Sequence, residues 1–97
     1  MALEVVWTSS AERDRKSILK YWIKANGTSG YSRKLHASFE EAIQQVLENP
    51  YIGRPTDLDG IRVKLVGVYH IFYRLSASSL YIVRVIDGRR DLRKLKF

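Results

Sequence analysis

Residues 60–91 read GIRVKLVGVYHIFYRLSASSLYIVRVIDGRRD, and the fold follows from how this stretch is divided. Three runs rich in β-branched and aromatic residues, Ile61 to Val66, Tyr69 to Leu75 and Leu80 to Ile86, are separated only by Gly67-Val68 and by Ser76 to Ser79. Links this short cannot return the chain across a sheet, so neighbouring strands must be antiparallel and a three-stranded meander is predicted. Within the first run Ile61, Val63 and Leu65 alternate with Arg62 and Lys64. Side chains alternate between the two sides of a strand, so this pattern predicts one buried face and one cationic face.

Working upstream, the apolar period changes from two to three and four. Tyr31, Leu35, Phe39, Ala42, Ile43 and Val46 line one face of a helix running from about Ser29 to Glu48. Asn49-Pro50 ends it, because Pro50 disfavours helical backbone at Asn49 and has no N–H to donate. Before it, Ala11, Ile18, Leu19 and Trp22 share a stripe, with Glu12, Arg13, Asp14, Arg15 and Lys16 on the solvent side. Ser9 followed by Glu12 fits a capping box at the start of this first helix. It should end near Ala25 at Asn26-Gly27, and Thr28 or Ser29 can cap the next.

Leu3 to Trp7 reads as a strand that joins the later sheet, Pro50 to Gly60 as loop, and Asp87 to Phe97 as a polar, basic tail with room for one helical turn. The expected class is α+β: an N-terminal strand, a two-helix hairpin, then a three-stranded antiparallel meander, forming one sheet packed on the helices in a single domain over residues 1–97.

Composition narrows the chemistry. At 97 residues and 45% hydrophobic, the chain can bury one core. With no Cys, it has neither disulfides nor thiolate catalysis, and two His are too few for a convincing metal cluster, so no metal or cofactor is expected. No apolar run approaches a bilayer span and no secretion signal is recognisable, which predicts a cytoplasmic protein. Seventeen Lys and Arg against ten Asp and Glu give +7, favouring polyanions or acidic protein segments as partners.

The positive charge is concentrated late. Arg84, Arg89, Arg90, Arg93, Lys94 and Lys96 against Asp87 and Asp91 hold more than half of the net charge. The turn at Gly88 allows this run to fold back beside Arg62 and Lys64, and we read it as a binding surface. Arg62 and Lys64, two apart on a strand, emerge about 7 Å from one another, near the phosphate spacing of a nucleic-acid strand; an ordinary solvated face that discourages edge pairing explains them as well. His70 titrates near neutral pH and is the one candidate proton carrier, although no carboxylate or nucleophile is visibly paired with it, and a polar residue opening a strand is the plainer reading. Glu40 and Glu41 diverge by about 100° on a helix and cannot form a dyad. Trp7, Trp22, Tyr31 and Phe39 fall on apolar stripes and read as core.

Taken in order, Trp7-Thr8-Ser9, the helical hairpin, Asn49-Pro50-Tyr51-Ile52-Gly53-Arg54-Pro55, Gly60-Ile61-Arg62, Tyr69-His70-Ile71-Phe72-Tyr73-Arg74 and Arg84-Val85-Ile86-Asp87-Gly88-Arg89-Arg90-Asp91 resemble the RelE/ParE family of type II toxins over nearly the whole chain. The resemblance implies the fold above and a cognate antitoxin, acidic and partly disordered, that wraps the toxin. It also implies one of two activities. RelE-like members cleave messenger RNA in the ribosome, and ParE-like members inhibit DNA gyrase without being nucleases.

For RNA cleavage the resemblance carries catalytic roles to Arg62, Lys64, His70 and Arg89. RelE-like enzymes typically have Arg where this chain has His70, and many have a Tyr or a His-Tyr pair near the C-terminus, where this chain ends Leu95-Lys96-Phe97. Gly53-Arg54-Pro55, Ile71 to Arg74 and Arg84 to Asp91 look closer to the ParE side, where His is frequent at the position of Asp87. The implied function is gyrase poisoning, with Arg62, Lys64, Arg84, Arg89, Arg90 and Arg93 as target-binding residues. The alternatives are ribosome-dependent cleavage of mRNA and an inactive or purely binding member.

Overall fold

A computed structural model describes residues 3–90. β1 (Glu4–Trp7) leads into two helices, α1 (Ser9–Asn26) and α2 (Gly30–Glu48), followed by β2 (Arg54–Pro55), β3 (Ile61–Val66), β4 (Tyr69–Leu75) and β5 (Ser79–Asp87). The sheet order is β1-β5-β4-β3-β2, with β1 parallel to β5 and every other pair antiparallel. The α+β class, the hairpin and the meander are as predicted. The loop expected over residues 50–60 contains one further strand, β2, whose two residues pair with Val63 and Arg62. Pro55 has no N–H, which suits it to the sheet edge it occupies.

The first helix begins differently from its sequence reading. Thr8, not Ser9, is the cap: its Oγ1 accepts from the Ala11 amide at 3.2 Å and donates to the Val83 carbonyl at 3.1 Å. Glu12 does not reach back to a cap amide but accepts from Arg15 Nη2 at 2.7 Å. Thr8 prevails because its own amide donates to Ile82 O at 3.0 Å, continuing the β1–β5 ladder, so the cap and the last rung of the sheet are one residue.

The helices cover one face of the sheet. Ala11, Leu35, Phe39, Ala42, Ile43 and Val46 pack with Tyr69, Ile71 and Tyr73 of β4 and Leu80, Ile82 and Val85 of β5, flanked by Trp7, Ile18, Leu19 and Trp22. Tyr31, expected in this stripe, is exposed and makes an edge contact with the Trp22 ring at 4.8 Å. A smaller cluster of Ile61, Val63, Phe72 and Ile86 forms on the other face.

This division corrects the reading of β3. Arg62 lies opposite Tyr73 and Lys64 opposite Ile71, two residues of the main core, so both cations stand on the helix side of the sheet. The apolar alternates Ile61 and Val63 are buried as expected but on the opposite face, and Leu65 is 42% exposed. The reason is a second apolar cluster, which a count of apolar positions along one strand cannot distinguish from the first.

Candidate target-contacting surface

A bulge in β5 sets the geometry of the cationic end. Phe72 pairs with Arg84 and Tyr73 with Ile82, leaving Val83 as the extra residue. Helix-facing residues therefore run Leu80, Ile82 and then Val85, and Arg84 is displaced from the core row. Its guanidinium is bound to α1, where Asp14 accepts from Arg84 Nε at 2.7 Å and Nη2 at 3.1 Å, and from the Val85 amide at 3.0 Å. Arg84 thus fastens the sheet to the helix, a role its place in the basic run does not suggest.

Arg62 is committed in a similar way. It donates to the Gly53 carbonyl at 2.7 Å and to that of Tyr51 at 3.4 Å, with the Tyr51 ring 4.9 Å beneath its guanidinium. The buried Tyr73 hydroxyl completes this latch by donating to Pro50 O at 2.8 Å and accepting from the Gly53 amide at 3.0 Å. Burial pushes the Tyr73 phenol above its usual pKa. Gly53 must be glycine here, because a Cβ would lie 2.5 Å from the Tyr73 hydroxyl and 2.8 Å from Val63 O. The latch holds Tyr51 with 70% of its surface exposed, beside a cleft of about 380 Å³ that Leu58, Ile61 and Arg62 help to line.

His70 stands opposite Leu65 on the face away from the helices, and therefore on the other side of the sheet from Arg62 and Lys64. Gly88 packs so closely on its ring that a Cβ there would collide with Nε2 and Cδ2. Burial, and next the charge of Arg54, lower its pKa below the ordinary histidine value, against an opposing pull from Asp87. Among the described residues no carboxylate hydrogen-bonds it. The cations that share that face are Arg54, opposite Val63, whose charge reaches His70, and Arg74, opposite Ile61 and four residues along the strand. The alternation of His70, Phe72 and Arg74 along one strand puts Arg74 on this face from the sequence alone, whereas Arg54 lies in the segment read as loop and carries no such signal.

Arg89 follows β5 in a turn. Its Nε and Nη2 donate to both oxygens of Asp87, the shortest bond being 2.6 Å, and its amide donates to Asp87 Oδ1 at 2.9 Å. These bonds, the side-chain one foremost, hold the Asp87 carboxyl at a pKa of about 2. Arg90 is exposed beside it, and Arg93 lies outside the described residues. The four residues named for RNA cleavage are thus divided: Arg62 and Lys64 on the helix side of β3, His70 on the open face, and Arg89 in a turn occupied with its own aspartate. Among the described residues there is also no group of three His, Asp or Glu arranged to hold a metal.

Comparison with known proteins agrees with this architecture. The chain is similar over 89% of its length to a chain of the chromosomal ParDE toxin–antitoxin system of P. aeruginosa, covering 96% of it with TM-score 0.78 and 18% identity. It is similar over 90% to a chain of the RelBE2 toxin–antitoxin complex of Mycobacterium tuberculosis, covering 99% of it with TM-score 0.64 and 23% identity. The YoeB dimer of Staphylococcus aureus shares the fold at TM-score 0.62 and 13% identity, with 87% of this chain and 94% of that one covered. A search of the curated proteins gives no match. The model of the ParE toxin of the type II toxin–antitoxin system parDE matches residues 5–92, nearly the whole chain, and this chain is therefore a member of the ParE toxin family.

Proposed function

We propose that this type II toxin acts in the cytoplasm by poisoning DNA gyrase, and that a cognate acidic antitoxin neutralises it. The observation that carries the choice of target is the dispersal of Arg62, Lys64, His70 and Arg89. General acid–base cleavage of RNA needs a proton acceptor and a proton donor within reach of one ribose and its phosphate, and groups on opposite faces of a sheet cannot share one. A protein that binds its target without cutting it has no such requirement. Its contacts are spread over the half-buried Lys64 and the exposed Arg89 and Arg90, with Arg93 further along the sequence, while Arg62 and Arg84 hold the scaffold that carries them. The antitoxin, in this reading, orders on the toxin as it binds and covers part of the charge.

The test is supercoiling by purified gyrase in the presence of the purified chain. Inhibition is expected, and unchanged supercoiling at concentrations that stop growth rejects the target. A second reading, ribosome-dependent mRNA cleavage, draws support from His70, which burial and the nearby charge of Arg54 favour in its neutral form. Primer extension on messenger RNA after induction decides it: new cleavage ends that vanish in His70→Ala establish this reading, and their absence removes it.

A further inference from the structure

The turn that closes β5 directs its donors at a single carboxylate. Asp87 accepts from the Arg89 amide at 2.9 Å, from Arg89 Nε at 3.0 and 3.2 Å, and from Arg89 Nη2 at 2.6 Å. A backbone N–H and a guanidinium fork converging on one anion is how proteins commonly hold a pair of phosphate oxygens. Here the anion belongs to the chain. Arg89 has 71% of its side chain in water and Asp87 24%, so a polyanion has open access to the arginine, yet the arginine's charge is already matched at contact distance.

We propose that Asp87 is a resident counter-anion that fills the phosphate-binding capacity of Arg89, so that a chain of net charge +7 does not grip nucleic-acid backbones through this turn. The proposal rests on the reading of the basic turn as part of a surface that contacts a protein target. A phosphodiester offers the fork the same two oxygens and the same single charge as Asp87. Asp87, tethered two residues away, competes at an effective concentration in the millimolar range or above. A phosphate that displaced it would also strip the Arg89 amide of its acceptor and leave a carboxylate beside the incoming anion. Asp87 thus sets specificity by position: Arg89 contributes to nucleic-acid binding only when the aspartate is neutralised.

The test uses the purified full chain and a labelled 20-nucleotide single strand, with affinity read by fluorescence anisotropy over a series of salt concentrations. Asp87→Asn keeps an oxygen for the Arg89 amide and removes the charge. It is expected to bind about 3-fold to 5-fold more tightly, a gain typical of one exposed ion pair, and to steepen the dependence of log K on log salt by about 0.7, one additional phosphate contact. Arg89→Ala is expected to cost much less in the wild-type background than in the Asp87→Asn background, where it removes the whole gain. Should Asp87→Asn fail to melt as a folded protein, Asp87→Ser, whose hydroxyl also accepts from an amide two residues on, takes its place. Unchanged affinity and salt slope on removing the charge, or an equal cost of Arg89→Ala in both backgrounds, overturns the proposal. These readouts contain no gyrase, so a failure of the gyrase reading is told apart from a failure of this one.

Discussion

Two aspartate–arginine pairs in this toxin have nearly the same contact distance, 2.7 Å for Asp14–Arg84 and 2.6 Å for Asp87–Arg89, but sit in regions of opposite character. The first joins α1 to β5 across seventy positions, with both side chains less than one-fifth exposed, and it also satisfies the Val85 amide beside the bulge. The second closes a turn between residues two apart, with the arginine mostly in water. Bond length does not separate them. What differs is the alternative each group has on losing its partner: water is at hand for Arg89, whereas Arg84 and the Val85 N–H are partly shut off from it.

The sharpest way to break this contrast is Asp14→Ala. It removes the carboxylate that a partly buried guanidinium and the Val85 amide share, and should lower stability by about 2–4 kcal/mol, seen in thermal melting as a drop of roughly 10 °C or more. Asp14→Asn, which keeps an oxygen for Val85, should fall less. Equal, small losses for both would mean that the pair is no more cement than a surface one. Next comes Tyr73→Phe, which removes the hydroxyl joining Pro50 O to the Gly53 amide and should cost about 2 kcal/mol by denaturant unfolding.

A smaller, pH-dependent effect belongs to His70. Its folded pKa lies below the ordinary value, so between the two the unfolded chain binds more protons than the folded one. The stabilisation is complete above the unfolded value, about 6.5, and is lost as pH falls toward the folded pKa. Urea midpoints should therefore drop between about pH 7.5 and pH 5.5 in the wild type, and drop less in His70→Gln. Least affected is Asp87→Asn, which should change the melting free energy by about 0.5 kcal/mol or less, as exposed pairs do. A loss comparable to that of Asp14→Ala would end the comparison.

Legibility in the sequence followed the range of the interaction. The Asp87-Gly88-Arg89 turn is a local pattern, an aspartate accepting from the amide two residues on, and it could be read without coordinates. Nothing in the sequence pairs Asp14 with Arg84, because the bulge at Val83 that brings them together shows only in the register of β4 against β5. The cap of α1 was missed for a related reason. Ser9 and Thr8 are equivalent as caps in isolation, and Thr8 prevails through its bonds to Ile82 and Val83 of a strand more than seventy residues away.

By itself the sequence determined the elements: two amphipathic helices from their three-and-four periodicity, three late strands from their alternation and short links, and a net positive charge gathered toward the C-terminal end. These are properties of neighbours along the chain, and propensity and hydrophobic pattern act at that range. Tertiary structure alone decided that β1 runs parallel to β5, that Arg62 and Lys64 stand on the helix side of the sheet with His70 opposite, and that Arg62 and Arg84 serve the scaffold. A strand's alternation fixes which residues share a face but not which face meets the helices. That choice is made by the packing of the whole sheet, where two apolar clusters of unequal size compete for the same two helices.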